Sequence, residues 1–168
     1  FNYDQECYTS LLWVMEGITS YYDELLLRRA GFYTKEEFLS KMQSQINYVE
    51  GSPGSRVQPV AHASFDAWIK AYRPNENSSN TTMTYYSRGA VLGAVLDAYL
   101  IQKSNKKRSL DGFMQLLYNK YALELKRGFT EAEFEQELST YCGEDMHAFF
   151  ANYVNGTQII PYQKYLEP

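Results

Sequence analysis

A chain of 168 residues with 45% hydrophobic side chains is long enough for a real core, since folding at this size buries roughly two-thirds of the unfolded surface. Sixteen Lys and Arg against 20 Asp and Glu give a formal net charge of −4, which leaves no basic surplus to neutralise phosphates and argues against nucleic acid as a partner. Cys7 and Cys142 make no disulfide framework, and the longest apolar stretches are interrupted by Glu16 and Asp97 and fall short of a membrane span.

Helix signals dominate, and no alternating run of strand type exceeds a few residues, so the expected class is all-α, an irregular helical bundle with 1–168 forming one domain. A first helix is predicted over 8–29, ending at Ala30-Gly31, where Gly offers the left-handed cap. Thr34 and Glu37 have the spacing of a capping box for a second helix toward Glu50, which Gly51-Ser52-Pro53-Gly54 then breaks. A short helix over 64–71 precedes the polar run 73–80, a surface loop. A strongly apolar helix over 82–103 closes on the basic segment 103–108, favourable at the negative end of the dipole, and Ser109 opens the next. Thr130 and Glu133 form another capping box, for a helix to about Tyr141. A last short helix runs from Glu144 to before Gly156, and 159–162 is extended. Because the chain opens at Phe1, without an initiator Met or signal-like segment, it is expected to be a piece of a longer protein.

The residue that stands out is Glu16, set in Leu11-Leu12-Trp13-Val14-Met15-Glu16-Gly17-Ile18, a segment apolar on nearly every helical face. Leu12, Trp13, Thr19 and Ser20 lie one turn away, so no basic residue of the same helix pairs with it. A carboxylate there is protonated, bound to a distant cation in a structural salt bridge, or ligating a metal.

Trp13-Val14-Met15-Glu16-Gly17, followed by Tyr21-Tyr22, resembles the W-x-x-E-G element that carries the glutamate ligand of gluzincin metallopeptidases. The resemblance is closest to the glycyl aminopeptidase family, and residues 25–31, 64–70, 72–77 and 153–157 are similar to that family's pattern in the same order. It implies the C-terminal helical part of a thermolysin-like catalytic domain, with zinc as cofactor and peptides as substrate. Glu16 is then the third zinc ligand, completing two imidazoles and leaving a fourth position open. The two His ligands and the general-base Glu belong to an H-E-x-x-H helix that this sequence lacks; His62 and His147 are its only histidines. These residues alone are therefore expected to bind no zinc and to be inactive, because a lone carboxylate cannot fix a tetrahedral site. A β-rich region and the H-E-x-x-H helix before Phe1, a PDZ-like domain after Pro168, and a bacterial periplasmic or envelope location are further implications of the resemblance.

Thr84-Tyr85-Tyr86-Ser87-Arg88-Gly89-Ala90 resembles the Y-x-K/R-G-A element of gluzincin aminopeptidases, in which the Tyr three residues before the Gly donates to the developing oxyanion. That selects Tyr86, with Tyr85 as the alternate; a phenol, titrating near 10, stays a neutral donor at working pH. In a chain with 16 tyrosines, packing is the default role of any one of them. Gly89 and Gly93 with Ala90 and Ala94 make a small-residue face for close helix approach, beside the helix of Glu16. Arg88 fits an ordinary salt bridge or an orienting role. His62 fits an exposed loop or the cleft, Asp66 an N-terminal cap or a cleft acid, and His147 surface or packing.

A competing reading is a non-catalytic helical interaction domain or inactive peptidase relative, with Glu16 in a buried salt bridge. A third pairs Glu16 with Asp66 as the carboxylates of a hydrolase.

Overall fold

The computed structural model describes residues 4–166, so the extreme ends of the expected 1–168 domain lie outside the described residues. Among the described residues the chain is all-helical and irregularly packed, with no strand, and no helix is long and apolar enough to cross a membrane. Its backbone forms two compact units, one running to Ala94 and including Asn152–Ile159, the other containing Val95–Ala151 and the residues from Ile160.

In the first unit the opening helix begins at 13 rather than 8. It starts as a π-helical turn, Trp13–Ile18, that runs directly into α1, Thr19–Arg29. Leu12 supplies no side-chain cap; instead the Trp13 N–H donates to Ser64 Oγ at 3.0 Å, and that hydroxyl donates to the Val60 carbonyl at 2.9 Å. A residue 51 positions away therefore satisfies the first free amide of the helix, a signal no local pattern carries. The end of α1 is as expected: Gly31 adopts φ 84°, with the Phe32 N–H on the Leu27 carbonyl at 3.0 Å and the Gly31 N–H on that of Arg28 at 3.2 Å.

Helix α2, Lys35–Gly51, has both capping-box bonds, Glu37 N–H to Thr34 Oγ1 at 3.1 Å and Thr34 N–H to Glu37 Oε2 at 2.7 Å. After a 3₁₀ turn, Pro53–Arg56, helix α3 spans Val60–Phe65, earlier than the predicted 64–71. Pro59, extended at φ −59° and ψ 149°, starts it, and the buried Val60, Ala61, Ala63 and Ser64 form its inner face. Asp66 consequently ends α3 as its C-terminal cap residue, not an N-terminal one. The polar run after Arg73 contains one short helix, α4, Ser78–Thr81.

Helix α5, Tyr85–Lys103, begins three residues after the predicted Thr82. Thr82 is held extended at φ −122° and ψ 149°, its backbone so close to Gly54 that a Cβ there would land on the Thr82 carbonyl, and the Met83 N–H donates to Gln58 Oε1 at 3.1 Å. Trp13, Ile18, Val49, Val60, Tyr85 and Leu92, each at most 2% exposed, form the centre of this unit.

The second unit contains α6, Leu110–Leu117, its π-helical continuation Tyr118–Glu124, and α7, Glu131–Cys142. It also contains α8, His147–Phe149, with the start of a further π turn, Phe150–Val154, and α9, Tyr162–Leu166, which follows the stretch 159–162 expected to be extended and overlaps it only at Tyr162. Ser109 precedes α6 but makes no side-chain cap; Asp97, buried on α5, takes the Leu110 N–H at 2.8 Å. Thr130 and Glu133 form the predicted capping box, and Gly143 at φ 83° ends α7. Phe113, Phe134 and Phe150 pack edge to face, with centroids 5.3 and 6.1 Å apart.

Candidate functional site

Two glycines fix the geometry of the site. A Cβ on Gly17 would lie 2.5 Å from the Cα of Gly89 and 2.6 Å from the Tyr85 carbonyl oxygen; one on Gly89 would lie 2.5 Å from the Trp13 carbonyl oxygen. The π turn and the first turns of α5 thus meet backbone to backbone, which only Gly permits. Further along α5, Gly93 faces Ile18 and Tyr21. The small-residue face read from the sequence is this contact, and it sets Glu16 and Tyr86, neighbours of the two glycines, on adjoining helices.

Glu16 is half-buried, and among the described residues no Lys, Arg or His forms an ion pair with its carboxylate. Tyr86 is 39% exposed, and its ring stacks on Tyr85 at 4.7 Å and 29°. The Tyr86 phenol is pushed above its ordinary value by burial, against which a hydrogen-bonding interaction with Tyr85 works, and the negative charge of Glu16 raises it further, so Tyr86 senses the Glu16 carboxylate. Tyr85 differs: it is 2% exposed, its hydroxyl lies 2.9 Å from that of Tyr72, and burial followed by this bond raises its pKa further. A phenol buried as deeply as that of Tyr85 is poorly placed to meet a substrate, whereas Tyr86 is accessible from solvent.

The other candidates lie in different settings. Asp66 pairs with Lys70 at 2.6 Å, which engages the acid that a Glu16/Asp66 hydrolase would need free. Arg88 is buried, 3.5 Å from Glu50 and 3.0 Å from the Gln158 carbonyl, in a network that continues to Arg56, 2.9 Å from Glu50. His62 is exposed on α3. His147 belongs to the second unit, with Nδ1 2.9 Å from Glu135. Among the described residues no three His, Cys, Asp or Glu side chains converge as a metal site. The residues present therefore fit one position of a zinc donor set, the Glu16 carboxylate, and not a complete set.

Beside Tyr86 lies a cavity of about 500 Å³, walled by Gln58, Lys70, Tyr72, Met83 and Tyr85 among others. Neither Gln58 nor Tyr72 is marked by local sequence chemistry as a site residue; Tyr72 falls in a stretch similar to the glycyl aminopeptidase pattern, and Gln58 carries no signal.

The sequence profile of the M61 glycyl aminopeptidases matches residues 1–92. The crystal structure of an aminopeptidase N family protein from Idiomarina loihiensis is similar over 99% of this chain, at 29% identity and a TM-score of 0.91. The matched region is 28% of that protein's length, so the chain spans under a third of it. No curated protein matches the chain.

Proposed function

This chain belongs to the M61 glycyl aminopeptidase family, and on that premise we propose that it is the helical part of a zinc-dependent aminopeptidase that removes N-terminal residues from peptides. In this reading residues 1–168 are one helical domain of a longer gluzincin peptidase. A β-rich region and an H-E-x-x-H helix lie before it, and a PDZ-like domain lies after it. The observation that carries the reading is a half-buried carboxylate on Glu16, in no ion pair among the described residues, whose charge is sensed by the neutral, accessible phenol of Tyr86.

Glu16 would hold the metal together with two histidines from outside this chain. Bound zinc would supply Lewis acidity and an activated water. Tyr86, protonated at neutral pH, donates a hydrogen bond to the oxygen that gains charge when the scissile carbonyl becomes tetrahedral. Its stacking on Tyr85 and the glycine contact below hold the donor in place. Pre-organisation of that kind lets a hydrogen bond act on the transition state without reorganisation.

The test is Glu16→Gln in the full-length protein, with zinc content and hydrolysis of a glycyl peptide measured together. Both are expected to fall; retained zinc with full turnover overturns the ligand role. A non-catalytic interaction domain is the second reading, favoured by the exposed Phe65, Trp68, Ile69 and Tyr72 along one short segment. It predicts that the full-length protein binds no zinc and turns over no peptide.

A further inference from the structure

Among the described residues Arg88 is the only buried cation, 3% exposed. A guanidinium taken out of water to that depth is costly unless its donors are engaged. Its Nη2 donates to the Gln158 carbonyl at 3.0 Å, and its Nη1 lies 3.5 Å from Glu50 Oε1. Neither partner is on α5. Glu50 is in the last turn of α2, and Gln158 belongs to the segment Asn152–Ile159, where its own N–H donates to the Asn152 carbonyl at 3.1 Å. Neutralising Glu50 does not account for this arrangement, because the more exposed Arg56 already stands closer to it, at 2.9 Å. What Arg88 adds is a tie between the first turn of α5 and the backbone at Gln158.

That turn carries Tyr86. The first amides of a helix lack partners one turn back, so an opening turn frays unless something outside it holds it. Here the Tyr86 N–H donates to Thr84 Oγ1 at 3.3 Å and the Arg88 N–H to the Thr84 carbonyl at 3.1 Å, bonds within one short stretch that do not fix it to its surroundings. Tyr86 is 39% exposed, so its own packing restrains it weakly. Arg88 follows it by two residues, about 200° around the helix, and leaves α5 on nearly the opposite side from the phenol. The next residue, Gly89, makes the backbone contact with Gly17 and Trp13. We infer that Arg88 is a positioning residue for Tyr86: its ties to the Gln158 carbonyl and Glu50 hold the first turn of α5 so that the phenol stays aimed where the oxyanion forms. This deepens the aminopeptidase reading and rests on it. An oxyanion donor acts only at hydrogen-bond distance from the charged oxygen, so displacing the turn costs rate at the transition state rather than substrate binding.

The experiment uses the full-length protein and Arg88→Met, which keeps an unbranched side chain in the core and leaves Glu50 paired with Arg56. With a glycyl peptide it is expected to lower kcat about 10-fold, with zinc content unchanged and KM changed by no more than about 2-fold. In a Tyr86→Phe background the same substitution is expected to lower kcat by no more than about 2-fold further, because the donor it positions is gone. An equal loss in both backgrounds, an unchanged kcat, or a rise confined to KM overturns the inference. Should Arg88→Met fail to fold, Arg88→Lys keeps the charge but offers one ammonium in place of the two-armed fork. A kcat about 3-fold lower, with no such effect in the Tyr86→Phe background, supports the role, and an unchanged kcat overturns it. Hydrogen exchange in the metal-free protein separates this inference from the reading it rests on. Faster exchange of the amides at 89–91 in Arg88→Met, with α7 unaltered, supports the anchor even if Tyr86→Phe proves fully active and the oxyanion role is lost. Unchanged exchange at those amides sinks the anchor while leaving the roles of Glu16 and Tyr86 untouched.

Discussion

At the scale of single residues, the two adjacent tyrosines differ sharply in exposure, Tyr85 buried and Tyr86 accessible. Tyr86→Phe in the full-length protein is expected to lower kcat about 10²- to 10³-fold with zinc content unchanged, the usual cost of one oxyanion donor. Steady-state kinetics with metal analysis checks it, and an unchanged kcat removes the role. Because burial and the Glu16 charge move the Tyr86 phenol upward, its ionisation lies above its ordinary value of 10.0. In the metal-free full-length protein, an ultraviolet phenolate titration compared with that of Tyr86→Phe is therefore expected to show no ionisation of Tyr86 below that pH. Glu16 and Tyr86 could be proposed from the sequence because each sits in a short motif, an acid in an apolar helix and a tyrosine three residues before a glycine. Gln58, Ser64 and Asp97 could not be, because their partners lie 25, 51 and 13 residues away and follow from no period or spacing.

At the scale of elements, local chemistry predicted what local chemistry decides. Both capping boxes and the left-handed end at Gly31 form as expected, since every group involved lies within a few residues. The starts of the first helix, α3 and α5 moved because a distant serine, a proline and a backbone pressed onto Gly54 chose them. The α7 cap carries a pH prediction. Arg127 and the Thr130 amide hold the Glu133 carboxyl down at about 2, against an ordinary 4.5. A depressed carboxyl contributes stability above its unfolded pKa and loses it as pH falls toward the folded one. Glu133→Gln is expected to flatten the decline of Tm between about pH 4.5 and 2 in thermal melts. The glycine contact carries another. Gly17→Ala and Gly89→Ala each push a methyl into backbone that cannot yield, and each is expected to cost about 3 kcal/mol in denaturant unfolding. Gly51→Ala meets open space and is expected to change stability by no more than about 0.5 kcal/mol.

At the scale of the whole molecule, this chain corresponds to 28% of the length of its structural neighbour, and among its described residues a complete metal site is not formed. Residues 1–168 expressed alone with added zinc are accordingly expected to show no turnover of glycyl peptides, and measurable hydrolysis would contradict the shared-ligand account. The π-helical winding of Trp13–Ile18 has a consequence for how such sequences diverge. A π turn is commonly one residue inserted into an α-helix, and each residue rotates an α-helix by about 100°. Deleting a single residue between Trp13 and Glu16 would relax the winding to the ordinary pitch and still leave the carboxylate and Gly17 on nearly the same side of the helix relative to the Ser64 anchor, because the wider turn already absorbs the extra residue. A one-codon shortening of this stretch is therefore tolerable drift, whereas the same loss from the regular helix that follows would turn everything beyond it by about 100°. Relatives one residue shorter here could keep the acid facing the same way, provided the rest of the motif is retained.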